Sequence, residues 1–288
     1  MKDVNHDIQA IFLDVGNTLR IVVEDEAFQA EARRQLVRLV GTLASPETFF
    51  AHLDVRWKAY RKWSFENLIE ASEKELWTRF MLPDFPAERI GPLAGKLTRL
   101  WRDKDGRRVP RHDVKQTVIE LSRRGYALGI LANTITETEI PDWLEADGLT
   151  CYFKAVVLSS KIRYRKPGSE IYWEAARRIG IEPARCAYVG DNPVRDVEGT
   201  RHAGFAMSII LMEPETEKKE PLAGIANALM NRAVRDKRQA LQAALRVVSL
   251  RKDDDAADDV FDEVKDTVLF FLSEQQGGGD ADKQRVSP

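Results

Sequence analysis

An α/β protein, with a parallel sheet interrupted by a helical insert, is what this sequence predicts. Past Pro110, short apolar runs alternate with segments of helical period, which implies parallel strand pairing through right-handed crossovers. Before it, from about Glu24 to Trp101, apolar residues recur three and four apart without strand-like alternation, the signature of amphipathic helices. Two apolar strands far apart in the chain end alike, in loops that carry Asp14 and Asp191. Open parallel sheets bind ligands at such carboxyl ends.

The elements follow in order. The first strand runs from about Ile8 to Leu13. The insert has apolar stripes at Phe28, Leu36, Leu39 and Val40, then Phe49, Phe50, Leu53 and Trp57, then Leu76, Trp77 and Phe80, and finally Leu93, Leu97, Leu100 and Trp101. Its breaks fall at Gly41–Pro46, Pro83–Pro86 and Asp103–Pro110, where Gly and Pro punctuate the pattern. A helix at Val114–Arg124, closed by Gly125, precedes a strand at Tyr126–Ala132. Then come a helix near Glu137–Ala146, a strand at Phe153–Ser159 and a helix at Ser169–Ile179 that stops at Gly180. A strand at Cys186–Val189, a helix at Val194–Ala203 and a strand at Phe205–Leu211 complete the unit.

The sheet unit is therefore split, residues 1–20 with 108–213, around an insert at 21–107. Helical spacing resumes over 214–276, with a basic stretch at Ile225–Leu250 and an acidic one at Asp253–Asp259. Residues 277–288 are Gly-rich and polar, a composition expected to be disordered.

Composition narrows function. The chain has 288 residues, is 43% hydrophobic and 31% charged, and carries a formal net charge of −2. Nothing there drives nucleic-acid binding. Two cysteines, Cys151 and Cys186, with no CxxC pair make a disulfide scaffold or a zinc site an unsuitable reading. No apolar run approaches the ~20 residues a membrane span needs, and the start Met1–Asp7 lacks the pattern of a signal peptide. A cytoplasmic protein without membrane or nucleic-acid partners is expected.

The chemistry-bearing residues are Asp14, followed by Gly16 and Thr18; Asn133 and Thr134 after a strand; Lys166 before Pro167; and Asp191 with Asp196 five residues on. Three acids and a lysine suit a divalent cation and a phosphoryl group, because cations screen anions that otherwise repel. Helix capping accounts for Asp191 alone, which stands two residues before Pro193. It does not account for the set.

In this order of parts, over about residues 8 to 211, the chain resembles the haloacid dehalogenase-like superfamily, in the branch with a helical cap inserted after the first strand. The resemblance implies a Rossmann-like parallel sheet core and an inserted α-helical cap domain; the C-terminal helical extension lies outside it. It implies Asp14 as the nucleophile that forms an aspartyl-phosphate, and Mg²⁺ held by Asp14, the Gly16 carbonyl, Asp191 and Asp196. Lys166 would offset charge, and Thr18, Asn133, Thr134 and Lys166 would bind the substrate, a small phosphorylated compound.

Two positions depart from that pattern. Family phosphatases carry a second Asp two residues after the nucleophile, as general acid and base; here Gly16 stands there. General acid–base help is typically worth ~10²–10⁴-fold. Ala132 replaces the usual Ser or Thr before Asn133, and losing one such donor to a transition state costs ~3 kcal/mol. A dehalogenase tolerates Gly16, because halide leaves unassisted, but as a family it replaces the first late acid, which Asp191 retains. A phosphonatase-like enzyme needs a cap lysine; Lys58 and Lys62 fall in no recognisable motif. A non-catalytic scaffold, with a homodimer or protein partner on the C-terminal helices, is the remaining alternative.

Other candidates are read structurally. The Arg56–Trp63 segment mixes cations with aromatics and reads as a helix with a packed aromatic side and a solvated basic side, the alternative being contact with an anionic substrate as the cap closes. His6, His52, His112 and His202 share no metal spacing. Trp143 and Trp173 read as helix–sheet packing.

Overall fold

A computed structural model describes residues 8–112 and 114–211. The extension expected over 214–276 and the tail at 277–288 lie outside them. The five parallel strands are β1 (Ala10–Leu13), β4 (Ala127–Ala132), β5 (Phe153–Leu158), β6 (Cys186–Gly190) and β7 (Met207–Ile210), in the order β5-β4-β1-β6-β7. β1 lies between β4 and β6, with Leu13 opposite both Ile130 and Val189. The connections run to one side of β1 and then to the other, so the sheet's switch point falls where β1 and β6 end.

Period-two alternation divides the strands between two cores. Ile11, Leu13, Leu128, Ile130, Val189 and Ile209 pack on one face with Val118, Leu121, Trp143 and Leu144, from α6 (Val114–Arg123) and α7 (Glu139–Ala146). Ala10, Phe12, Leu131, Val157 and Tyr188 face Ile171, Tyr172 and Ala175 of α9 (Ser169–Ile179) and Ala203 of α10 (Gly199–Ala203). Between β5 and α9 lies the short α8 (Ser159–Ile162).

The insert has its own core. α1 (Glu26–Val40) starts where Asp25 accepts from the Phe28 amide at 3.0 Å, and it stops at Gly41, whose φ of 62° suits a residue without Cβ. α2 (Pro46–Asn67) is capped by Ser45. Then come α3 (Glu73–Glu75), a wide turn at Leu76–Met81, α4 (Ala87–Ile90) and α5 (Ala94–Asp103). Leu36, Leu53, Tyr60, Trp77, Leu97 and Trp101 fill the centre, and Ile135 of the sheet domain packs into it. Trp57, Tyr60, Trp63 and Phe80 stack against one another, while Lys58 and Lys62 are exposed, as expected of a helix with one packed side.

Two expectations need correction. The insert is not helical throughout: β2 (Arg20–Val23) and β3 (Arg107–Pro110) pair antiparallel at its base, Val23 opposite Arg107. Four-residue strands with partly exposed faces leave too little alternation to read. Trp173 is not helix–sheet packing, because its ring is half exposed and only its indole N–H is anchored, donating to the Ala203 carbonyl at 3.2 Å. No helix of the described residues is long and apolar enough to cross a membrane.

Glu139 joins the hairpin to the sheet domain. Its buried carboxylate pairs with Arg20 of β2 at 3.0 Å, with Arg108 of β3 at 3.7 Å and with Arg102 of α5. Burial pushes its pKa up, but the three guanidiniums outweigh that and hold it below the ordinary value.

Candidate active site

Asp14 follows the last residue of β1, and its amide donates to the Val189 carbonyl at 2.8 Å, which ties the ends of β1 and β6 together. Asp191 follows β6 directly. Asp196 lies in the wide helical turn Pro193–Glu198, whose start is capped by Asn192 accepting from the Arg195 amide at 2.6 Å. Carboxylate oxygens of Asp14, Asp191 and Asp196 lie within 4.8 Å of one another. Gly190 makes this approach possible, because a Cβ there would sit 2.3 Å from Asp196 Oδ2.

Lys166 enters from the loop before α9. Its Nζ donates to Asp14 Oδ2 at 2.7 Å, lies 2.9 Å from Asp196 Oδ1, and donates to the Tyr188 hydroxyl. Lys166, Asp14 and Asp196 are all buried. Tyr188 stays a neutral phenol, its pKa raised by burial and by Asp14 and Asp196. Burial, and next the charge of Asp14, pushes the Asp191 carboxyl up to about 6. Burial acts the same way on Asp196, but Lys166 and Arg195 hold it below its ordinary value.

Three expected substrate contacts have other partners or none. Both ends of the Asn133 amide are committed to the backbone of Lys166, donating to its carbonyl at 2.9 Å and accepting from its N–H at 2.8 Å. Thr134 is held by Ser159, whose hydroxyl accepts from the Thr134 amide at 2.9 Å and donates to its carbonyl at 3.0 Å. The Thr134 hydroxyl accepts from the Thr136 amide at 3.2 Å. Thr18 is buried with no hydrogen-bond partner for its hydroxyl among the described residues. Ala132 is the last residue of β4, and Gly16 is exposed with open space where a Cβ would stand.

Arg195 and Tyr188 belong to the cluster and were not singled out from the sequence. Arg195 donates to Asp191 Oδ1 at 3.0 Å and lies 3.4 Å from oxygens of both Asp14 and Asp196. It stands four residues after Asp191, a spacing that by itself reads as an ordinary solvated helix pair. Tyr188 is two residues before Gly190 on β6, so both share the face that meets Asp196.

The cap is docked beside the lysine loop. Arg165 pairs with the buried Glu70 at 3.5 Å and donates to Ser64. Glu70 also accepts from the Tyr60 hydroxyl, and Ser159 Oγ lies 3.1 Å from its carboxylate. The backbones join as well, Glu70 N to Arg163 O at 2.7 Å and Arg165 N to Leu68 O at 3.3 Å. The arrangement can hold a hard cation on oxygen ligands and present Asp14, next to a fixed ammonium, to an anionic group.

Known proteins resemble the chain over much or part of its length. The phosphoserine phosphatase of Thermus thermophilus is 29% identical over 222 residues, which cover 68% of this chain and 86% of the relative. A glyceraldehyde 3-phosphate phosphatase of Methanothermobacter thermautotrophicus is 36% identical over 113 residues, covering 38% of this chain and 48% of the relative. The crystal structure of a 2-haloacid dehalogenase from Pseudomonas syringae pv. tomato superposes with a TM-score of 0.52 at 19% identity. It covers 75% of this chain and 99% of that one, and it shows the shared fold. The family description "haloacid dehalogenase-like hydrolase" matches residues 8–204, from β1 through the loop of Asp191 and Asp196 into the end of α10. A match over so much of the chain, reaching both carboxylate-bearing strand ends, makes this protein a member of the haloacid dehalogenase-like hydrolases.

Proposed function

We propose that the protein is a Mg²⁺-dependent phosphatase of a small phosphorylated metabolite, with Asp14 as nucleophile. The observation that carries this is the Asp14–Lys166 contact of 2.7 Å inside a cluster that also holds Asp191 and Asp196. The two relatives above are named as phosphatases. The dehalogenase likeness is one of fold and does not bring its reaction to this chain.

The donor set fits a hard divalent ion, which prefers carboxylate and carbonyl oxygens. Asp14, Asp191 and Asp196, with the Gly16 carbonyl, would hold it, and when bound it would offset the charge of a phosphoryl group. An Asp14 oxygen attacks phosphorus and the bond to the leaving oxygen breaks, giving an aspartyl-phosphate that water then hydrolyses. Lys166, fixed by Tyr188 and Asn133, balances the negative charge beside Asp14. Glycine at position 16 moves no proton. Leaving groups that depart as stable anions, such as aryl or acyl phosphates, are therefore turned over faster than alkyl phosphates. On this reading the enzyme works in the cytoplasm.

The test is hydrolysis of para-nitrophenyl phosphate with and without Mg²⁺, with Asp14→Asn alongside. Metal-dependent turnover that vanishes in the variant is expected. Turnover that survives in Asp14→Asn would sink the nucleophile assignment. Folded native protein without turnover of this or any phosphate monoester in a screen would favour a non-catalytic role.

A further inference from the structure

Every carboxylate oxygen of the acidic cluster already accepts a hydrogen bond. Asp14 takes the Val15 amide on Oδ1 at 2.8 Å and Lys166 on Oδ2 at 2.7 Å. Asp196 takes the Asn192 amide on Oδ2 at 3.0 Å, with Lys166 2.9 Å from Oδ1. Asp191 takes the Asn17 side-chain amide on Oδ2 at 3.1 Å and Arg195 on Oδ1 at 3.0 Å. Arg195 is the one side chain in the described residues that reaches all three carboxylates, through its 3.4 Å approaches to Asp14 Oδ2 and Asp196 Oδ1.

Each carboxylate oxygen has a further lone pair, so neutral donors can stay when a divalent cation binds, but a cationic donor lying among the three carboxylates is repelled by it. The two cationic donors differ in how easily they leave. The Lys166 side chain has no solvent exposure, its ammonium is bonded to Tyr188, and its backbone is gripped by Asn133. The Arg195 side chain is 26% exposed, on a long arm at the mouth of the cluster. Its backbone is anchored independently, by the Asn192 cap and by the Tyr172 hydroxyl donating to its carbonyl at 3.3 Å. The arm can therefore swing while the loop stays in place.

The charge balance points the same way. Three carboxylates against Lys166 and Arg195 leave one net negative charge in the cluster; without the guanidinium there are two. In a partly buried site that difference weighs heavily on a divalent ion, because Coulomb energies grow as the effective dielectric falls.

We infer that Arg195 is a tethered counter-cation that competes with the divalent metal for Asp14, Asp191 and Asp196 and withdraws when the metal binds. The inference rests on the metal-dependent reading above. It sets this chain's metal requirement apart from that of a site with a neutral residue at 195, since occupancy would follow the free Mg²⁺ concentration over a weaker range. It also provides the metal-free protein with a substitute charge that relieves repulsion among three clustered acids.

The experiment is calorimetric titration of MgCl₂ into metal-free native protein, Arg195→Gln and Arg195→Met, with melting curves of each. Both neutral variants are expected to bind Mg²⁺ at least about tenfold more tightly than the native chain. Both should also melt lower without metal and gain more from saturating Mg²⁺. Methionine keeps the apolar stem of the arm and glutamine keeps a polar end, so one folded variant suffices. Equal or weaker Mg²⁺ affinity in a folded variant, with native protein that binds the ion, overturns the inference and leaves Arg195 as a fixed part of an anion cradle. If neither native nor variant protein takes up Mg²⁺, the metal-dependent function fails and the competition fails with it.

Discussion

Asn133 holds Lys166 by both faces of one peptide position, bonding its carbonyl and its N–H with a single side-chain amide. The ammonium of that lysine then stands between Asp14 and Asp196. Asn133 is thus a positioning residue, acting on the cluster through the lysine backbone.

Asn133→Ala leaves a buried backbone donor and acceptor unpaired, at about 1–3 kcal/mol of desolvation cost each. The expected outcome is a lower Tm together with a fall in kcat of about tenfold or more, as misplacement of a charged group commonly costs. Steady-state kinetics and calorimetry read both. An unchanged kcat in folded protein would show that the lysine is held by other contacts.

Lys166→Met removes the cation from between two buried carboxylates. Breaking a buried pair by deleting one partner destabilises by about 3–5 kcal/mol. Mg²⁺ should restore more Tm to this variant than to the native protein, because it replaces the lost charge. A variant as stable as the native chain in metal-free buffer would contradict the burial of this pair.

Gly16→Asp is sterically free, with nothing within 4 Å of the added Cβ. Supplying an acid there should raise turnover of alkyl phosphates by roughly 10²-fold, at the lower end of general-acid effects, and change para-nitrophenyl phosphate turnover little. Equal effects on both substrates would mean that protonation of the leaving group is not what limits the native enzyme.

Glu139 gives a pH signature. Its folded pKa is depressed, so it contributes stability that is fully present above its unfolded value near 4.5 and is lost as pH falls through the lower folded value. Glu139→Gln strands three guanidiniums, and a Tm drop of roughly 10 °C is expected at pH 7. That gap should narrow on acidification below about pH 4.5. A gap independent of pH would mean that the carboxylate charge is not the stabilising element.

Much of the architecture was readable because its signals are local. The helix expected at Ser169–Ile179 is found at those bounds, closed by Gly180 with φ 75°. The carboxylates at the ends of β1 and β6 were readable because strand endings and loop acids stand side by side in the chain. Contacts that depend on side-chain direction were not. Asn133 sits in the expected loop, but only the fold shows that its amide turns to Lys166. Arg195 was overlooked because an arginine beside an aspartate in a helix-starting loop ordinarily reads as a solvated pair; only the wide turn at Pro193–Glu198 shows it folded back over three acids.

The β2–β3 hairpin has a consequence for how such chains diversify. Because Val23 and Arg107 are opposite each other, the chain leaves the sheet domain and returns to it at one spot. Residues 24 to 106 leave and return there, and they touch the sheet domain again through contacts such as Glu70–Arg165 and Arg102–Glu139. The helices of that stretch can be lengthened or reshaped away from those contacts without disturbing the register of β1 against β4 and β6. Selection for a new substrate and selection for intact chemistry can therefore act largely on separate stretches of one gene, with Glu70 and Glu139 answering to both.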